Sequence, residues 1–177
     1  MIHRIKNLLV TGIPGIGKTT LIKKLSQELR SFEPAGFYTE EIKERNERKG
    51  FKLISLNGSE GILSHVDLVS KYRVGKYNVD IKGFEGLLDS IHFFNPEVRI
   101  IIIDEIGKME CLSNKFVKIV GEVLESEKIL ISTISMTGGP IIDAIKKRRD
   151  VKIYTMSKIN RDSILSNIFN DIKTLLT

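Results

Sequence analysis

The sequence predicts an α/β fold: a mainly parallel central sheet flanked by helices on both faces, with a β-hairpin addition, in a single domain over residues 1–177. Three observations lead there. Short β-branched runs alternate with amphipathic stretches, the order that produces parallel strands joined by covering helices. One run, "VRIIIIDEIG", is almost wholly apolar up to Asp104, as a central strand buried on both faces requires. A glycine-rich turn, "GIPGIG", stands between an apolar run and a run of helical period.

Each element has its own signal. "RIKNLLVTG" reads as a buried first strand, and "KTTLIKKLSQELRS" as a helix with Leu21, Ile22, Leu25 and Leu29 on one face. "GFYTEEI" and "GFKLISLNG" are strand-like, and the charged connector "KERNERKG" between them predicts a hairpin. "GILSHVD" adds a short strand. A helix follows over "FEGLLDSIHFF", stopped by Asn95-Pro96. After the central run come a helix near "SNKFVKIVGEVLES", a strand at "KILISTIS" and a helix after "GGP". A strand at "VKIYTM" and a closing helix, "RDSILSNIFNDIKTLL", complete the order.

Composition narrows the functional class. With 41% hydrophobic and 28% charged residues the chain has the balance of a folded globular domain and not that of a disordered one. No apolar stretch reaches the 18 or so residues of a membrane span. Gly12, Pro14 and Gly15 interrupt any signal-peptide core at the start. The single cysteine, Cys111, excludes an intrachain disulfide framework and suits a reducing compartment, so a cytoplasmic location is expected. As a nucleophile Cys111 would need a base from among His3, His65 and His92. The net charge of +6 is compatible with polyanionic partners (nucleotides, nucleic acid or an acidic surface) and by itself decides among none of them. The densest basic cluster, Lys146 to Arg149, is too short to establish a nucleic-acid tract.

The turn carries the chemistry. Gly12 to Thr19 fits G-x-x-x-x-G-K-[ST], the phosphate-binding loop, between a strand and a helix as that motif requires. Its glycines let successive N–H groups of Gly12, Ile13, Pro14 (which offers none), Gly15, Ile16 and Gly17 curl around phosphate oxygens, with the helix dipole aimed at the same point. Lys18 then reaches the β- and γ-phosphates, and the Thr19 hydroxyl a Mg²⁺ that bridges them. Thr20 stands within reach of a third phosphate oxygen. A second metal-binding acid belongs at the end of a hydrophobic strand. "IIIIDEIG" supplies Asp104 there, in the position of a Walker B aspartate. Glu105, directly after it, is placed to orient and deprotonate a water aimed at the γ-phosphate.

Asp104 to Gly107 also fits the D-x-x-G of guanine-nucleotide switches. The guanine reader Asn-Lys-x-Asp is missing, because "NKFV" at Asn114 ends on Val117. Candidate cations for the charge on a departing γ-phosphate are Lys108, the pair Arg148 and Arg149, and Arg161. Arg161, just after the last strand, has the best address, equally suited to a base or ribose contact.

Several separated segments together resemble one family. "GIPGIGKTTL", "GFYTEEI", "RKGF", "RVGKYNV", "IIIDEIGKME" and "NRD" are similar, in the same order from Leu8 to Asp162, to the thermophile-type nucleoside-triphosphatases. Their vertebrate members are called cancer-related nucleoside triphosphatases. The resemblance implies a RecA-like P-loop fold and Mg²⁺-dependent hydrolysis of ATP, GTP and other ribonucleoside triphosphates with little choice of base. It also assigns Ile13 to Thr20 to the triphosphate, and Asp104 and Glu105 to metal and water. Where the family often has a charged residue, this chain has Ile13. "GFYTEEI" and "RVGKYNV" acquire no role from their residues alone; Tyr38 and Tyr77 either stack on a base or pack near the sheet edge. Two other readings stay open: a nucleotide or small-molecule kinase with Gly138 to Asp150 as an arginine-bearing lid, and a regulatory module binding nucleotide or nucleic acid.

Overall fold

A computed structural model describes residues 4–177 of the protein; His3 lies outside them. Strand β1 (Asn7–Thr11) leads through α1 (Lys18–Glu28) to β2 (Ala35–Glu44). The chain then turns back into β3 (Glu47–Ser55), β4 (Glu60–His65), β5 (Arg73–Val74) and β6 (Tyr77–Val79). Helix α2 (Ile81–Asp89), β7 (Ile100–Ile106), α3 (Asn114–Glu125) and β8 (Ile129–Ile134) follow. Helix α4 (Pro140–Lys146), β9 (Val151–Thr155) and α5 (Ile164–Leu176) close the chain.

The strands form one sheet in the order β5-β6-β4-β3-β2-β7-β8-β1-β9. From β2 to β9 every neighbouring pair is parallel; from β2 to β5 every pair is antiparallel. Parallel pairing needs crossovers, and the helices that make them cover both faces. Alternation along β1 and β7 divides the core accordingly. Leu8, Val10, Ile100 and Ile102 pack with Ile22 and Leu25 of α1 and Ile168 and Ile172 of α5. Leu9, Ile101 and Ile103 face the other way, onto Phe84 of α2, Phe116 of α3 and Ile142 of α4.

Three local features differ from the sequence expectation. The charged connector is mostly strand: β2 and β3 meet in a tight turn at Arg45 and Asn46, with φ of 48° and 63°. Asparagine tolerates that left-handed conformation, and a two-residue turn of this hand matches strand twist. Helix α2 begins at Ile81, where the Asp80 side chain accepts a hydrogen bond from the Gly83 N–H at 2.9 Å, and it ends at Asp89 before Pro96 has any influence. "RVGKYNV" is a small hairpin, so the expected hairpin addition is the start of a wider antiparallel wing. Among the described residues no helix is long and apolar enough to cross a membrane.

Candidate active site

The parallel strands end on one edge of the sheet, and there the chain leaves β1 for the glycine-rich turn. Gly15 and Gly17 take φ of 77° and 109°, values that a Cβ penalises, so the turn can close directly into α1 with Gly17 as its N-cap. No side chain caps α1, which leaves its first N–H groups free for an anion. Ile16 is buried in the core beside α1, whereas Ile13 points to solvent at 55% exposure. Both therefore serve the loop through their backbone. The Lys18 ammonium donates to the carbonyls of Gly12 at 2.9 Å and Ile13 at 3.3 Å, which holds it across the turn.

Strand β7 brings the acids. Pairing of β7 with β8 shifts register between Ile103 and Ile106, so one extra residue bulges outward at Asp104 and Glu105. Bulges re-aim side chains beside active sites. Asp104 is 2% exposed, and a carboxylate so buried needs donors. It has them. Its Oδ2 accepts from the Thr19 hydroxyl at 2.7 Å and the Thr39 hydroxyl at 3.1 Å, and its Oδ1 from the Thr133 hydroxyl at 2.5 Å. Thr19, Thr39 and Thr133 come from α1, β2 and β8, so three elements fix one carboxylate.

Glu105 lives in another environment. One oxygen accepts from the Ser135 hydroxyl at 3.0 Å. Burial pushes its carboxyl above the usual value; the Ser135 hydrogen bond and the Lys18 charge pull against this, while Asp104 adds to it. The result is a half-buried carboxyl of increased basicity, as a proton acceptor requires. Glu110, in a one-turn helix after β7, is 4% exposed and faces the same cleft. Burial first, then the Glu105 charge, raises its carboxyl well above the ordinary range.

These groups open on a cavity of about 1030 Å³. One end is the phosphate-binding turn with Thr19, Thr20, Asp104 and Glu105; the other reaches Glu41, Arg48, Phe51 and Val74 of the wing. Lys108 lines it as well. The other candidate cations are not brought here. Arg148 is bound to Asp150 at 2.8 Å and to Glu125 at 2.6 Å and does not line the cleft. Arg149 is not among the lining residues, and Arg161 lies 3.8 Å from Asp162 outside the cavity. Tyr38 lies under the Lys23 ammonium and Tyr77 meets Phe51 edge-on, so both pack and neither lines the cleft. Burial, then the charges of Glu110 and Glu105, push the Cys111 thiol up to about 11, which leaves little thiolate at neutral pH.

A family model described as NTPase matches residues 7–169. The chain belongs to this NTPase family. It is 48% identical, over 94% of its length and 95% of the relative's, to the nucleoside-triphosphatase THEP1 of Thermotoga maritima. It is 36% identical to the human cancer-related nucleoside-triphosphatase, over 96% of this chain and 97% of that one. The crystal structure of THEP1 from Aquifex aeolicus superposes with a TM-score of 0.82 at 35% identity, covering 92% of this chain and 96% of that one. The solution structure of the human protein gives 0.79 at 36% identity, covering 96% and 98%. The resemblance carried by "GFYTEEI" and "DEIGKME" is thereby borne out, as is the fold it implied.

Within this NTPase fold the geometry adds residues that sequence reasoning left without a role. Thr39, inside "GFYTEEI", is a hydrogen-bond partner of the site aspartate, and the adjacent Glu40 pairs with Lys23 and Lys52. Thr133 and Ser135 were signalled faintly: "ILISTIS" breaks its apolar run with hydroxyls at the strand end that faces the turn.

Proposed function

We propose that the protein hydrolyses the γ-phosphate of Mg²⁺-bound ATP, GTP, CTP and UTP with low base selectivity. The observation that carries this reading is the division of labour between adjacent carboxylates. Asp104 is tied to Thr19 of the phosphate-binding turn, and Glu105, held by the Ser135 hydroxyl, lines the cleft with raised basicity.

The donor set at Thr19 and Asp104 fits Mg²⁺. It consists of hard oxygens 2.7 Å apart, one hydroxyl and one carboxylate. Thr19 and Asp104 would hold the ion while leaving its remaining positions to phosphate and water. When bound, Mg²⁺ neutralises charge on the β- and γ-oxygens. The turn's N–H groups and the N-terminus of α1 hold the β-phosphate, and Lys18 exchanges its carbonyl partners for phosphate oxygens. Glu105 accepts a proton from the attacking water as its oxygen bonds to the γ-phosphorus. The bond from that phosphorus to the β–γ bridging oxygen breaks, leaving nucleoside diphosphate and phosphate. Of the candidate cations for the developing charge, Lys108 is the one that lines the cleft.

A second reading, phosphoryl transfer to an acceptor, has one observation in its favour. The cavity continues past Glu105 over Glu41, Arg48, Phe51 and Val74, which gives an acceptor a place to sit. Phosphate release from the four nucleoside triphosphates, with and without hydroxyl acceptors, separates the two. Hydrolysis gives one phosphate per triphosphate consumed and kcat/KM values within about a hundredfold of each other, because a site with no dedicated base reader forfeits discrimination of 10⁴ or so. Faster transfer of γ-³²P to an acceptor than to water rejects the hydrolytic reading. Strict preference for one base rejects the low selectivity.

A further inference from the structure

We propose that the wing end of the cleft is a second small-molecule site, built for an aromatic carboxylate that binds beside the triphosphate: the ring against Phe51, Val74 and Met109, the carboxylate at Arg48. The proposal goes beyond the hydrolytic reading and does not depend on it.

Segments that gain little or nothing from the phosphate end converge here. "GFYTEEI" supplies Glu41, "RKGF" supplies Arg48 and Phe51, and "RVGKYNV" supplies Val74; all four line the cavity. Met109 joins them from the turn after β7. Regular strands would not bring these groups together. Arg48 and Phe51 are three residues apart, a spacing that points side chains to opposite faces. The β2–β3 ladder shifts register here: Ile42 pairs with Gly50 but Lys43 with Arg48, so Lys49 is an extra residue in β3. That bulge turns Arg48 onto the face of Phe51, with its guanidinium carbon 5.4 Å from the ring centroid. In the next ladder Phe51 pairs with Ser64 but Lys52 with Ile62, which makes Leu63 an extra residue in β4. Leu63 lines the same cavity. Two adjacent ladders thus carry bulges that border one cavity, and bulges are the usual means of re-aiming side chains at a site.

The chemistry of these groups selects the ligand. Phe51, Val74 and Met109 are half-buried and pack on the apolar cluster beneath α2 and α3, so they form a firm apolar wall. Such a wall takes a flat apolar body, and an aromatic ring gains further from edge contact with Phe51 and from the Met109 sulfur. The rim is positive. Lys43 at 2.8 Å and Arg48 Nε at 2.9 Å share the single carboxylate of Glu41. Among the described residues the terminal nitrogens of Arg48 make no hydrogen bond, which leaves them for a planar acceptor with two oxygens. The acids stand toward the phosphate end. A Cβ built on Gly107 would lie 2.5 Å from Oε1 of Glu105 and 2.8 Å from Oε2 of Glu110, so both carboxyls gather at that turn. A negative group is favoured at Arg48 and opposed beside Gly107, which fixes the ligand's orientation.

The test is a ¹H–¹⁵N NMR titration of the whole chain with benzoate, 2-naphthoate and indole-3-acetate, first without nucleotide and then with saturating Mg²⁺ and a non-hydrolysable ATP analogue. At least one acid should give saturable shifts at the amides of Phe51, Val74 and Met109. Its affinity should agree within about threefold between the two conditions, as for separate sites. Arg48→Gln should weaken binding about tenfold or more, the loss of a charge-assisted pair, and the corresponding neutral alcohol should bind the wild type more weakly by a similar factor. Phe51→Leu, which keeps an apolar side chain and removes the ring, should weaken binding about 2–10-fold. The Arg48 side chain is 44% exposed, so Arg48→Gln should leave the spectrum elsewhere unchanged. No saturable shift with any of the three acids at millimolar concentration overturns the proposal. So do shifts confined to Gly15, Gly17 and Lys18, unchanged affinity in Arg48→Gln, or an alcohol that binds as tightly as its acid. Failure of the ATP analogue to shift Gly15 and Gly17 rejects the triphosphate reading instead, and the titration without nucleotide then decides the wing site by itself.

Discussion

Every residue of β8 and all but one of β7 are buried, whereas β3 buries only Gly50, Leu53 and Ser55 of its nine residues. The two halves of the sheet are stabilised by different means. The parallel half is a layer between two apolar clusters, with β7 reading as a continuous isoleucine run up to Asp104. The antiparallel wing alternates, and its outer face carries ion pairs such as Glu41 with Arg48 and Lys76 with Glu47. Polar chemistry nonetheless concentrates in the parallel half, at the strand ends where Asp104, Thr133 and Ser135 emerge. A rigid apolar layer positions a few polar groups closely because its strands have no other arrangement. The wing contributes at the shared border, where β2 pairs with both β3 and β7 and presents Thr39 to Asp104.

Lys18→Ala gives the largest effect expected from this contrast. It removes the charged contact to the β- and γ-phosphates, so turnover should fall about 10³-fold and triphosphate affinity should drop. The fold should survive, since among the described residues the ammonium's hydrogen bonds go to two carbonyls of the turn. Unchanged phosphate release with a normal circular-dichroism spectrum would remove the turn from the chemistry.

Next in size is Ile102→Ala. Ile102 is fully buried in the parallel layer, and truncation there should cost about 2–5 kcal/mol in urea unfolding, through lost burial and the cavity left behind. A cost below about 1 kcal/mol would mean that the layer relaxes easily and does not hold the site by packing. The smallest effect belongs to the wing. Lys76 and Glu47 are 49% and 59% exposed, so Lys76→Ala should change stability by less than about 0.5 kcal/mol. A loss comparable to that of Ile102→Ala would erase the distinction between the halves.

How much of this was legible in the sequence follows from the same contrast. Periodicity marks the parallel strands because two-sided burial forces apolar runs, and the turn from Gly12 to Thr19 is legible because glycine, lysine and threonine each answer one local demand. Asp104 and Glu105 stood out by ending such a run. The wing was less legible: β5 and β6 are two and three residues long, too short for any period. The partners of Asp104 were hidden for a different reason. Thr39 and Thr133 lie 65 and 29 residues from it in the chain, and only strand order brings them together. Arg161 illustrates the converse, a good address in sequence that the fold does not turn toward the cleft. Glu110 carries no local signal of its burial; the turn at Gly107 between β7 and the one-turn helix Glu110–Leu112 brings it inward.

The central claim is that Glu105 receives the proton of the attacking water while Asp104 and Thr19 keep the phosphate end intact. Its most direct test is Glu105→Gln, with phosphate release and triphosphate affinity measured on the same protein. Gln preserves shape and volume and removes the proton acceptor. Turnover should fall by about 10²–10⁴-fold, the range of a general base, with ATP affinity within about threefold of the wild type and unhydrolysed ATP retained on the protein. Wild-type hydrolysis by Glu105→Gln, or a loss of ATP binding that by itself accounts for the slower rate, would contradict the assignment.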